Sequence, residues 1–136
     1  MDMIVTLPGG LKVDSSYKGF TVKTDQPEKA GGDSSAPAPF DLFLHSIGTC
    51  AGFYVLAFCR ERNITTDDIR IVLNTERDKE TWLLTKINID IQLPGDFPEK
   101  YINAVKASAD KCTVKKVILK APAFYITASI NNKGDV

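Results

Sequence analysis

The chain has 136 residues, 43% of them apolar and 25% charged, with 17 lysines and arginines against 17 aspartates and glutamates. That size and composition suit a single globular domain over residues 1–136 and exclude a disordered chain. The balanced charge leaves no electrostatic footprint for nucleic acid or for an anionic membrane surface. The longest apolar run, residues 42–58, is interrupted by His45, Ser46, Thr49 and two glycines. It falls short of the roughly 20 apolar residues of a membrane span. No basic-then-apolar signal opens the chain, so a soluble cytoplasmic protein is expected.

Residues 2–25 read as an antiparallel β-meander. MIVTL is β-rich, Pro8-Gly9-Gly10 marks a turn, LKVDSSY alternates through Leu11 and Val13, and Gly19 allows a second turn before FTVKTD. Residues 25–39, DQPEKAGGDSSAPAP, collect turn formers and read as an exposed loop closed by Pro37 and Pro39. A long helix follows in FDLFLHSIGTCAGFYVLAFCRERN. Pro39 suits its first turn, Asp41 its positive end, Arg60 and Arg62 its negative end, and Asn63 its C-terminal cap. Apolar residues surround most of this cylinder, which predicts a buried central helix. Gly48 and Gly52 cost about 1 kcal/mol each in a helix interior, so close packing by a backbone or a partner is expected there.

Two strands are predicted next, over 68–78 and 81–93, joined at Asp78-Lys79-Glu80. Ile87, Ile89, Ile91 and Leu93 fall on one face of the second. EKYINAVKASADKC has helical spacing at Tyr101, Ile102, Val105 and Ala109, and a short helix over 114–119 ends before Pro122. AFYITASI, residues 123–130, closes the chain as a strand. Meander, long helix, hairpin, helices and strand in that order give an α+β fold, with the hairpin curled around the central helix.

The three cysteines are Cys50, Cys59 and Cys112. An odd, widely spaced set is no disulfide framework. Cys50 and Cys59 are nine apart, on opposite helix faces, and His45 is five before Cys50, so the spacing does not suit zinc. No metal or cofactor is expected. No GxxxxGK[ST] or GxGxxG phosphate loop and no GxSxG nucleophile motif is present. Cys59 reads as a core residue, and His45 as a hydrogen-bonded core or interface histidine. Cys50 shares its face with Phe43, Ser46, Ile47, Phe53 and Tyr54; mid-helix it gains nothing from the dipole, and alone it reads as core. Cys112, in ADKCTVKKV, precedes a helix that Thr113 could cap, with Lys111, Lys115 and Lys116 close by. Local physics makes it the likelier reactive thiol, although the lysines equally suit a solvated face.

The two cysteine segments together carry a resemblance. SSAPAPFDLFLHSIGTCAGFYVLAFCRERNI resembles the Pro-led helix of the OsmC/Ohr family, and ASADKCTVKKVI resembles that family's second cysteine motif. The resemblance implies an α+β, OsmC-like fold that assembles as an intertwined homodimer, with active sites at the subunit interface. It further implies a thiol-dependent peroxidase that reduces organic hydroperoxides. Cys50 would be the peroxidatic thiolate and Cys112 the resolving thiol, with the resulting disulfide reduced by a dithiol donor. Gly48, Thr49, Ala51 and Gly52 would let another backbone or the substrate approach the sulfur. Two positions depart from the family pattern. The activating arginine of the N-terminal strands is absent, since no arginine precedes Arg60 and only Lys12, Lys18 and Lys23 are available there. Phe40, beside Asp41, stands where the family has a glutamate. Lysine does not reproduce arginine's bidentate fork. A second class of function therefore stays open: a non-catalytic dimeric module of the same fold that binds a small hydrophobic ligand, with structural cysteines.

Overall fold

A computed structural model of the chain describes residues 1–130. Strands β1 (Ile4–Gly9), β2 (Lys12–Tyr17) and β3 (Phe20–Thr24) form an antiparallel meander in that order. Tyr17 pairs with Phe20 across Lys18-Gly19, both at positive φ, which is the two-residue hairpin geometry that follows strand twist. Beyond β3 the loop is organised by a buried carboxylate. Asp25 accepts hydrogen bonds from the Gln26, Asp33 and Ser35 amides and from the Ser35 hydroxyl. The Ser35 hydroxyl and amide, chiefly, hold its carboxyl down at about 2. Gly32 packs so closely that a Cβ there would sit 1.9 Å from the Gln26 carbonyl oxygen.

Helix α1 (Pro39–Glu61) starts as its sequence predicts, with Pro39 in the first turn and the Asp41 carboxylate accepting from the Ala38 amide at 3.2 Å. Its other end is a Schellman motif. Asn63 takes φ +53°, its amide bonds the Arg60 carbonyl at 3.2 Å, and the Ile64 amide bonds the Cys59 carbonyl at 2.9 Å. With 23 residues α1 is longer than the apolar run suggested, and by length and composition alone it would suffice to cross a membrane. Within this fold it is the core helix, packed by β4 and α2.

Strands β4 (Arg70–Arg77) and β5 (Leu84–Gln92) pair antiparallel, with Ile71 opposite Ile91, Leu73 opposite Ile89 and Thr75 opposite Ile87. This is the alternation read from the sequence. The connection is longer than expected, running from Asp78 to Leu83. Asp78 accepts from the Glu80 and Thr81 amides, and Trp82 is held at φ +60°. The hairpin lays Ile71 and Leu73 on the helix glycines: a Cβ at Gly52 would lie 3.3 Å from Ile71 Cδ1, and one at Gly48 3.9 Å from Leu73 Cδ1. The two glycines therefore seat β4.

A 3₁₀ turn (Glu99–Tyr101) leads into α2 (Ile102–Ala109), and α3 (Thr113–Leu119) follows after three residues. The core lies under the C-terminal half of α1, where Val55, Phe58, Cys59, Phe97 and Val105 are buried together against Ile69, Ile71, Ile91 and Leu93. Ile102, expected on the inner face of α2, is exposed.

Two expectations are corrected. Helix α1 buries one stripe, Ile47, Ala51, Val55, Phe58 and Cys59, and is not enclosed, since Phe40, Phe53 and Leu56 stay open. The reason is numerical: one hairpin and two short helices cannot cover a cylinder that is apolar nearly all round. The closing strand is the second correction. Residues 121–130 make no regular element, and Phe124, Tyr125, Ile126 and Ile130 are 85 to 96% exposed. A strand exists only by pairing, and neither sheet of the single chain takes this segment up among the described residues.

The loop packing is testable by paired glycine substitutions. Gly32→Ala forces a backbone clash and should lower stability by about 2–3 kcal/mol, read from the urea midpoint. Gly95→Ala, where a Cβ meets nothing within 4 Å, should stay within about 0.5 kcal/mol of the parent.

Candidate active site

Cys50 lies midway along α1, half-buried and reduced. Positions 48 and 52 are each two residues away, about 200° around the helix, so Cys50 points away from the glycine face that β4 occupies. The expectation that Gly48 and Gly52 open a path to the sulfur is thereby overturned. Ala51 is fully buried, and the Thr49 hydroxyl donates back to the His45 carbonyl at 2.7 Å. What approaches the sulfur comes from the other side.

That side holds the junction of α2 and α3. The Ser108 hydroxyl donates to the Tyr54 carbonyl at 2.9 Å, and the Tyr54 and Thr113 hydroxyls are hydrogen-bonded at 3.2 Å. These two contacts fix the start of α3 against the turn of α1 that follows Cys50. Cys112, buried with 1% exposure, is itself the residue that caps α3, because its sulfur accepts from the Lys115 amide at 3.4 Å. Thr113, expected as the cap, is the first helical residue instead and gives its hydroxyl to Tyr54.

Two cysteines 62 positions apart thus meet in one place, and their surroundings push them in opposite directions. The Val114 amide, turned toward the Cys50 sulfur, holds that thiol below its ordinary range; hydrogen bonds from the Cys112 thiol and the Thr113 amide act with it, against some desolvation. Burial pushes the Cys112 thiol up, and proximity to Cys50 adds to this, against the Lys115 amide. The ordering read from the local sequence is reversed. Cys112 has the basic neighbours, but Lys115 is ion-paired with Asp110, and the α3 amides serve Cys50. No arginine or lysine is among the groups that shift Cys50. Of the N-terminal lysines, Lys12 pairs with Asp33 at 2.5 Å, and Lys18 lies over the Tyr17 ring.

The remaining candidates lie elsewhere. Cys59 is in the core with no exposure, and burial raises its thiol. His45 is exposed on α1 and makes no side-chain hydrogen bond among the described residues, so of the two placements expected, core or interface, the core one does not hold. No cluster of three potential metal-ligating side chains occurs among the described residues. An open groove of about 860 Å³ runs between α1, the hairpin and α3; neither thiol lines it, and it reaches Ile47 and Lys115, each three residues from one of them. Its Phe43 and Ile47 lie on the helix face that carries Cys50. The sequence pointed to that apolar face, but not to the residues that complete the groove, Arg77 and Trp82, because only the hairpin brings them there.

The sequence pattern of the OsmC-like protein family matches residues 31–127, a stretch that includes Cys50, Cys112 and helices α1, α2 and α3. The chain belongs to the OsmC-like family. Solved structures agree on the fold. A protein from Psychrobacter arcticus 273-4 described as an osmotic stress induced and detoxification response protein is 20% identical, with a TM-score of 0.71 over 84% of this chain and 85% of that one. The OsmC like protein of Mycoplasma pneumoniae is 15% identical, with a TM-score of 0.67 over 88% and 87%. A hypothetical protein of Aquifex aeolicus VF5 is 24% identical, with a TM-score of 0.68 over 88% and 87%. No functionally curated relative matches the chain.

The opposed shifts predict the order of alkylation in this OsmC-like protein. Iodoacetamide should modify Cys50 first, with a pH midpoint below the ordinary thiol value of about 8.5, and Cys112 more slowly. Cys112→Ala removes one donor and should move the Cys50 midpoint upward, while the Val114 amide still keeps it below that value. Peptide-resolved mass spectrometry across pH checks both; faster labelling of Cys112 would contradict the assignment.

Proposed function

We propose that this chain is a thiol-dependent reductase of organic hydroperoxides. One observation carries the reading: a half-exposed thiol favoured as thiolate lies against a buried thiol that is not. The Cys50 thiolate attacks the terminal oxygen of the hydroperoxide, the O–O bond breaks, and the alkoxide leaves and takes up a proton to become the alcohol. Cys50 is then a sulfenic acid. The sulfur of Cys112, losing its proton, attacks the Cys50 sulfur, water leaves, and a Cys50–Cys112 disulfide forms. A dithiol donor restores both thiols by exchange and is itself oxidised. No metal or cofactor takes part in these steps. Free thiols of this kind persist in a reducing compartment, which suits a cytoplasmic protein.

The same reading includes a homodimer. The chain exposes 11070 Å², whereas a compact monomer of this mass exposes about 7000 Å². The excess has the scale of an obligate interface. Its sources are the meander, where Ile4, Val5, Leu7 and Phe20 are open, the outer face of α1, and the apolar 123–130 segment. A second copy that accepts this segment as a strand would pair it and close α1, as in an intertwined dimer.

The apolar groove also suits the non-catalytic module that binds a small hydrophobic ligand, and turnover separates the two. With cumene hydroperoxide and a dithiol, the parent should consume peroxide continuously. Cys50→Ser should abolish consumption, and Cys112→Ser should slow it severely after one equivalent. Equal rates for parent and Cys50→Ser would transfer the chain to the binding class. Light scattering should give twice the 14.9 kDa chain mass; a monomer would refute the dimer.

A further inference from the structure

The groove between α1, the hairpin and α3 is apolar along its walls and one-sided in charge. Phe40, Phe43 and Ile47 of α1 face Trp82 and Ile89 of the hairpin, with Ile118 of α3 alongside. Among the described residues, the ionisable ones lining it are Arg77, Lys86 and Lys115, and no carboxylate lines it. Lys86 is paired with Glu76 and Lys115 with Asp110. Arg77 makes no ion pair among the described residues.

Arg77 is nevertheless held in place. Its guanidinium carbon lies 4.7 Å from the centre of the Phe40 ring, and one of its N–H groups donates to the Trp82 carbonyl at 2.8 Å. Trp82 itself adopts φ +60°, an outlier for a bulky residue. The turn around Asp78 imposes this: the Trp82 amide donates to the Asp78 carbonyl at 3.0 Å. The strain aims the Trp82 carbonyl at Arg77 and leaves the indole at the groove. A guanidinium has five N–H donors, so Arg77 keeps donors free for an anion, next to an aromatic surface and with no ion-pair partner among the described residues.

The spacing along α1 sets a length. From Phe40, under Arg77, to Cys50 is ten residues, about 15 Å of helical rise, which matches an extended chain of about a dozen carbons. We propose that Arg77 is a specificity-determining residue that binds the carboxylate of a long-chain acyl ligand, laying its hydrocarbon along Phe43 and Ile47 toward Cys50. The alignment of a peroxide oxygen with the sulfur rests on the peroxide-reductase reading; the anchoring at Arg77 does not.

Trp82 is the only tryptophan and lines the groove, so its fluorescence reports occupancy without any turnover. Dodecanoate and dodecanol, which differ in the charged end alone, are titrated into the reduced full-length protein and into Arg77→Gln. The parent should give a saturable response to dodecanoate and bind dodecanol at least tenfold more weakly. Arg77→Gln should weaken dodecanoate about tenfold, the scale of one charged hydrogen bond, and leave dodecanol within about twofold. Arg77→Lys should recover part of the loss, and far-ultraviolet circular dichroism should be unchanged in both variants. Equal binding of acid and alcohol by the parent, or equal weakening of both by Arg77→Gln, would overturn the anchor. So would an absent response; if iodide then also fails to quench Trp82, a second copy covers the groove. Dodecanoate binding without peroxide turnover would uphold the anchor and sink the reductase reading, and turnover without dodecanoate binding would do the reverse.

Discussion

The arrangement depends on the two unlike faces that α1 offers at its midpoint. One face is stripped to Gly48 and Gly52, and β4 settles onto it through Ile71 and Leu73. The opposite face carries Cys50 and Tyr54, and the α2–α3 junction docks there through Ser108 and Thr113. The glycines would cost about 2 kcal/mol together in an isolated helix; hydrophobic burial of the hairpin on the flat surface they leave offsets that. With β4 on the far side, the near side is free for the second thiol. A helix with side chains on both faces at this level could not hold hairpin and thiol pair at the same height.

The electrostatics at the sulfur follow from the same docking. An arginine would favour a thiolate through charge, but backbone amides do so through directed dipoles whose position the fold fixes. The Val114 and Thr113 amides belong to the first turn of α3, where N–H groups have no intrahelical acceptor. Turning them toward Cys50 satisfies the donors and lowers the thiol at once. Cys112 differs: its sulfur caps α3 through the Lys115 amide, and its burial beside Cys50 favours the neutral thiol. With no arginine or lysine acting on it, Cys50 is still the thiol favoured as thiolate over Cys112.

Much of the fold is legible in the sequence because its signals are local. Alternation through Ile87, Ile89 and Ile91 specifies β5, Pro39 and Asn63 bracket α1, and Gly19 marks the hairpin. What is not legible is relational. The lysines around Cys112 look activating in the sequence, yet Lys115 is taken by Asp110 and the helix end addresses a cysteine 62 positions away. The small residues flanking Cys50 look like an opening for substrate, but helical geometry sends them to the opposite face. Arg77 and Trp82 carry no motif at all, because their meaning comes from a turn that brings the Trp82 carbonyl to Arg77 and Arg77 over Phe40. The 123–130 segment has the composition of a strand without a strand's partner in its own chain, so composition alone named the element but not its state.

The account stands most directly on the pairing of Cys50 with Cys112. One equivalent of an organic hydroperoxide is added to the fully reduced protein, and intact mass and peptide mapping are read within seconds. Loss of two hydrogens, with Cys50 and Cys112 in one linked peptide and Cys59 untouched, is the predicted result. Slow oxidation scattered over all three cysteines, or a linkage that includes Cys59, would contradict it.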